Sequence, residues 1–246
     1  MIFDSSSLKF IFDLIIVTQF PKVEIRTDDE NIYISANYND DYYITYYTSL
    51  NSKLSTNIRH ETPSGIIVLS QYAVKKIYQL ITLWPRSTIE ILENTDGIYI
   101  NTIFNGQLIR EKPVIIESIF EKVDYYLIPP YEEDYNCSIN SKNLKQMLEF
   151  CNENGTIINI VNDGSLKISD NNCMLVTIVN LEEVKIPCQA IMKLNVQTTQ
   201  MILMFLDKIL ARSNLVYFLY LEYRNAFSIK AKIDDISGIR IYTIHN

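Results

Sequence analysis

The sequence predicts an α+β protein of two similar domains, each with two helices packed on antiparallel sheets. Three observations lead there. The same series of segments occurs twice, at an offset of about 130 to 136 residues. Most segments alternate apolar and polar residues with the period of a strand, while four carry apolar stripes at helical spacing. The composition suits that mixture, with 39 Ile and 17 Tyr against 6 Gly, since β-branched and aromatic residues favour the pleated sheet. At 246 residues and 48% apolar, the chain has enough material for a sizeable core in each half.

The clearest repeat opens each half. SSSLKFIFDL starts at Ser5 and SKNLKQMLEF at Ser141. Both read Ser-x-x-Leu-Lys and carry an acid at the ninth position, Asp13 and Glu149. Each predicts a helix whose opening serine serves as N-cap. A short strand at residues 1–4 precedes the first. After each helix come a strand, a polar turn and another strand: residues 22–26 and 31–35 in the first half, 157–161 and 165–169 in the second. Long alternating strands follow, YYITYYT at 42–48 and CMLVTIV at 173–179. The second helices span 70–84 and 196–212, and each leads into strands, at 87–104 and 216–233. Each half therefore reads strand, helix, three strands, strand, helix, three strands. The domains are placed at 1–119 and 134–246, with a connector at 120–133.

Net charge is −7, which excludes a basic nucleic-acid coat. The charge is unevenly spread, however. The four predicted helices hold 7 Lys and Arg against 3 Asp and Glu, so they carry +4 and the remainder −11. Lys75, Lys76, Lys142, Lys145, Lys208 and Arg212 lie opposite the apolar stripes. No apolar run approaches the 18 or so residues of a membrane span, and Asp13 interrupts the longest early one, so a soluble, intracellular protein without a membrane partner is expected.

Chemistry-bearing motifs are scarce. The four cysteines lie in the second half without C-x-x-C spacing, and a zinc site would have only His60 and His245 to draw on. Carboxylates cluster at 28–30, 40–41, 132–134 and 234–235, each on a predicted turn or linker, where solvated loops explain them better than a nuclease metal site. There is no glycine-rich phosphate loop, G-x-S-x-G or H-E-x-x-H. No catalytic residue, metal or cofactor is expected, and the protein is not read as an enzyme.

Between the halves runs YYLIPPYEEDYNCSINSKNLKQMLEFC, residues 125–151. It places Leu127-Ile128-Pro129 before the acids Glu132, Glu133 and Asp134, then Tyr135-Asn136-Cys137 before the helix start. With the last strand, from Lys232-Ile233-Asp234-Asp235 through Gly238-Ile239-Arg240-Ile241-Tyr242, this segment resembles the DNA sliding clamps of the proliferating cell nuclear antigen family. As element order the resemblance spans the chain; as sequence it covers the strap and the last strand. The first strand is shorter than in that family, and the first helix has one basic residue, Lys9, where several would stand.

The resemblance implies a DNA-clamp fold with curved sheets and a DNA polymerase processivity factor, serving replication or repair. Such a clamp encircles duplex DNA without reading its sequence. Its contacts would be Lys9, Lys75, Lys76, Lys142, Lys145, Lys208 and Arg212. Ring closure, as a homotrimer, would pair the edge at 112–118 (Val114, Ile115, Ile116) with that at 173–179 (Leu175, Val176, Ile178) of a neighbour. The strap becomes the interdomain connector, held extended by Pro129 and Pro130. It borders a groove for short peptides of the polymerase and other partners, walled by Tyr42, Tyr43, Tyr126, Ile128, Pro129, Ala226, Ile244 and His245. A clamp loader is the further implied partner. The nucleus is the implied location, or a cytoplasmic replication site if the protein is viral, a source that its Ile- and Asn-rich composition fits. Clamp folds also serve as checkpoint-clamp subunits, as non-ring processivity subunits and as viral late transcription factors, and oligomeric state separates these roles.

Overall fold

Leu8, Ile11, Phe12 and Ile15 recur at helical spacing, and all four are buried. Leu144, Met147, Leu148 and Cys151 repeat them 136 positions later and are buried as well. The strands obey the other period. Val23 and Ile25 face the core beside Ile34 and Ala36, and in the second half Ile158 and Ile160 lie beside Leu166 and Ile168. Periodicity thus sets both the element type and the face that is covered. The structure is a computed structural model that describes residues 2–17, 22–27, 31–39, 42–49, 66–94, 97–110, 135–151, 155–161, 165–170, 172, 176–184, 189–221, 226–232 and 237–244.

The chain divides into two units, Met1–Asn39 with Tyr43–Tyr126, and Asp40–Tyr42 with Leu127–Asn246. The first half runs β1 (Ile2–Asp4), α1 (Ser5–Val17), β2 (Lys22–Thr27), β3 (Asn31–Asn39), β4 (Tyr42–Ser49), β5 (Ile66–Ser70), α2 (Gln71–Leu83), β6 (Thr88–Asn94), β7 (Gly97–Phe104) and β8 (Gln107–Arg110). The second runs β9 (Cys137–Asn140), α3 (Ser141–Cys151), β10 (Thr156–Val161), β11 (Ser165–Asp170), β12 (Val176–Asn180), β13 (Glu183–Val184), β14 (Ala190–Leu194), α4 (Val196–Ile209), β15 (Leu215–Leu221), β16 (Ala226–Lys232) and β17 (Ser237–Ile244). The order expected from the sequence is present in both, with the two-residue β13 as an addition.

Strand pairing repeats too. In the first unit the orders are β1-β6-β7-β8 and β4-β3-β2-β5. In the second they are β9-β15-β16-β17, extended at its start by β13, and β12-β11-β10-β14. Every pairing with a described register is antiparallel. The protein is α+β, with four helices among the described residues. Within the units α1 packs on α2 and α3 on α4. Their apolar faces, including Phe12, Ile77, Leu148 and Phe205, are buried.

Four local details depart from the sequence expectations. Ser5, expected to cap α1, is the first residue of that helix, and its buried hydroxyl makes no hydrogen bond among the described residues. The cap of α3 is Asn140, whose side-chain oxygen accepts from the N–H groups of Lys142 and Asn143 at 3.0 and 3.3 Å. Ser141, expected there, is the first helical residue. Its buried hydroxyl donates to the Ser213 carbonyl at 2.8 Å instead. Helix α4 ends at Ile209, whose carbonyl accepts from the N–H groups of Arg212 and Ser213. Arg212 therefore sits in the turn beyond the helix. A strand not singled out from the sequence, β8, follows a two-residue turn in which Asn105 and Gly106 both have positive φ, 49° and 76°. That is the type I′ geometry Asn-Gly favours.

Candidate functional site on the paired helices

The basic residues sit where the helical period leaves them, on the faces turned from the sheets. In the first unit, α2 buries Ala73, Val74, Ile77, Leu80 and Ile81. This leaves Tyr72, Lys75 and Gln79 exposed and Lys76 half-buried. Ser70 starts the helix, its hydroxyl accepting from the Ala73 N–H at 3.3 Å. Lys75 and Lys76 bring two charges with no acid in the helix. The Lys76 ammonium lies 5.9 Å from the Tyr72 ring centroid, a cation–π contact that lays its stem along the surface.

Lys9 of α1 is engaged differently. Its ammonium pairs with Asp13 one turn on, at 3.4 Å, and stands 5.4 Å from the centre of the Tyr78 ring. The Tyr78 hydroxyl in turn donates to Asp13 at 2.5 Å, joining α2 to α1. Burial works to lower the Lys9 pKa, but the Asp13 carboxylate and Tyr78 outweigh it and the net shift is upward. Tyr78 is raised as well, chiefly because its hydroxyl is held by Asp13.

In the second unit, α3 exposes Lys142, Gln146, Glu149 and Phe150, with Lys145 half-buried. Lys145 pairs with Glu149 at 3.3 Å and, across to α4, with Asp207 at 2.5 Å. Its pKa is raised by the hydrogen bonds to Asp207 and Glu149. The N-cap of α4 is Asn195, which accepts from the Thr198 N–H at 2.8 Å. Lys208 is exposed in the last turn, and Arg212 is exposed just beyond it. Lys75, Lys142 and Lys208 make no ion pair among the described residues. An open cleft of about 430 Å³ lies at the start of α3, lined by Asn140, Lys142, Lys145, Gln146, Glu149 and Asn214 among others. Each helix pair, with the Arg212 turn, carries a net +2.

The other expected sites are described in part. Ala226 and Ile244 are cross-strand partners of β16 and β17. Tyr42 and Tyr43 open β4. Tyr126, Ile128, Pro129 and His245 lie outside the described residues, as do Val114, Ile115, Ile116 and Leu175. Val176 and Ile178 belong to β12, the last strand of its sheet among the described ones. The four carboxylate clusters also lie outside. Among the described residues no group of three or more His, Cys, Asp and Glu is placed to hold a metal ion, and no helix is long and apolar enough to cross a membrane. Cys137 and Cys151 are buried free thiols; Cys173 and Cys188 lie outside.

The end of the strap is well tied. The Tyr135 hydroxyl donates to Glu183 at 2.7 Å, and its ring meets Tyr217 edge-on at 4.8 Å. The carboxylate partner pushes the Tyr135 pKa up to about 12. Asn136 donates its N–H to the Phe218 carbonyl at 2.7 Å and accepts from the Tyr220 N–H at 2.6 Å. Tyr-x-Cys is thus an anchoring motif, with Tyr135 outside, Cys137 in the core and Asn136 bonding to β15. Asp13 and Glu149 stood out in the sequence as the ninth-position acids of the repeat, but not as partners of Lys9 and Lys145. Their signal was available, since Lys9–Asp13 and Lys145–Glu149 are i,i+4 pairs. Asp207 and Tyr78 come from other helices and leave no such trace. Compared with known proteins, the chain matches no family model and no curated sequence.

Proposed function

We propose that the chain is a DNA sliding clamp of the proliferating cell nuclear antigen type, a processivity factor that holds duplex DNA and tethers a polymerase. One observation carries it: a single topology occurs twice, and both copies present a helix pair with net positive charge on an otherwise acidic chain. A processivity factor must hold DNA without reading it. Lys and Arg facing phosphates supply an attraction that is independent of sequence and weakened by salt. The acidic remainder repels DNA from other surfaces. In the ring, β12 is one of the two edges that neighbours pair, which leaves no edge open to aggregation. Partner peptides dock beside the strap, on apolar walls flanked by backbone groups of the last strand.

The test is fluorescence anisotropy of a labelled duplex over a salt series. The protein binds duplexes of unrelated sequence equally and weakly. Changing Lys75, Lys76, Lys142 and Lys208 to Ala lowers the log–log salt slope by up to about 0.9 for each phosphate that is no longer neutralised. Unchanged binding by that variant would place the DNA on another face. Preference for one duplex sequence would contradict a sliding clamp.

A further inference from the structure

We propose that the first-helix lysines, Lys145 above all, are latched cations, each paired with an acid that DNA must displace and tied to the second helix of its own unit, so that Asp207 limits how tightly the α3–α4 face grips a phosphate backbone. This rests on the proposed DNA-binding function and deepens it.

The arrangement occurs twice. Lys9 and Lys145 are repeat-related, as are their i,i+4 partners Asp13 and Glu149, all at an offset of 136. In both units the tie extends to the second helix. Asp13 receives the Tyr78 hydroxyl at 2.5 Å, while Lys145 reaches Asp207 at 2.5 Å. The groups that complete the two ties differ in chemistry, yet each engages the lysine of the first helix, Tyr78 through its ring and Asp207 through its carboxylate. By contrast Lys75, Lys142 and Lys208 are exposed and form no ion pair among the described residues. Each helix pair therefore holds two kinds of lysine, one open to solvent and one already neutralised.

The consequence for DNA is specific. A lysine whose ammonium lies between Glu149 and Asp207 has two donors occupied, and its local environment sums to −1. A phosphate gains little from it until a carboxylate is displaced. The Glu149 pair alone, at 3.3 Å on the helix surface, is of the weak exposed kind that a phosphate can outcompete. The Asp207 carboxylate is as exposed as that of Glu149; what sets it apart is that its bond is shorter and joins two helices, which makes it the restraint. A clamp that slides benefits from such a limit, because each additional tight phosphate contact slows movement along the duplex.

A double-mutant cycle tests it, with Lys145→Ala, Asp207→Asn and the double variant titrated onto a labelled duplex across a salt series. Thermal melts check that all four proteins are folded. In the otherwise unchanged protein Lys145→Ala alters affinity less than twofold. Asp207→Asn tightens binding and steepens the log–log salt slope by about 0.9, the mark of one more phosphate contact. The double variant returns to the original slope. If Lys145→Ala alone flattens the slope by about 0.9, Lys145 already contacts phosphate and the latch is wrong. If the double variant keeps the slope of Asp207→Asn, the aspartate acts only as a repelling charge, and the latch is equally wrong. Either outcome leaves DNA binding intact, whereas absence of binding by all four proteins overturns the function itself and this proposal with it.

Discussion

Glu24 is a carboxylate buried within a sheet. It lies on β2 opposite Ser35 of β3 and Val68 of β5. Burial pushes its pKa from 4.5 up to about 7, against the opposing pull of Arg26. In the folded chain Glu24 takes up a proton that the unfolded chain releases near its ordinary value. Its contribution to stability is therefore fully present below about pH 4.5 and lost as pH rises through about 7. Glu24→Gln removes that loss. The variant melts higher than the parent at pH 8, by roughly 2–4 °C if about 1 kcal/mol is recovered, and the two coincide at pH 4. Equal melting temperatures at pH 8 would show that Glu24 is solvated in the folded state. No sequence pattern marked this residue, because KVEIR reads as ordinary alternation with Glu24 on the wet face. Whether a strand's second face is covered depends on distant segments, and local period carries no information about them. The charged helix residues were legible for the opposite reason, since a lysine opposite an apolar stripe stays at the helix surface, although the groups it meets there from the second helix, such as Asp207 for Lys145, leave no local trace.

Among the elements, the helices were the most legible, because four or more apolar residues at helical spacing leave little choice of face. Their ends were less so. Ser141 looked like the cap of α3, yet Asn140 performs that role and Ser141 turns inward to Ser213. Two adjacent residues able to cap cannot be ordered by propensity alone. Asn140→Ala costs about 1 kcal/mol in urea unfolding, the usual value of a missing cap, while Asn140→Asp retains most of the stability. Equal losses from both changes would mean that Asn140 acts by packing rather than by capping. The strand β8 was missed although Asn105-Gly106 announced it, because the apolar stretch at 112–118, which lies outside the described residues, stood out instead. Core substitutions fit the same picture. Phe205, fully buried on α4, costs about 3–5 kcal/mol when changed to Ala, and the loss appears in the melting of the second unit.

For the whole molecule, the duplicated order of elements was legible because the same patterns of period, turn and charge recur at one offset. The proposed peptide groove and ring edges rest on resemblance alone, as no local pattern distinguishes an edge strand that pairs with a neighbour from one covered within the chain. The ring makes definite demands. β12 ends its sheet among the described strands, and in the proposed ring it is the edge a neighbour pairs with, so Val176→Pro is placed to disturb that pairing. That variant is monomeric, with a melting temperature close to the parent's. An assembly unaffected by it would place the interface elsewhere. Most direct is the mass of the unmodified protein by light scattering during size-exclusion chromatography at tens of micromolar. A closed homotrimeric clamp gives about 86 kDa, three times the 28.6 kDa of the chain, whereas a single species at 28.6 kDa contradicts a ring that encloses DNA.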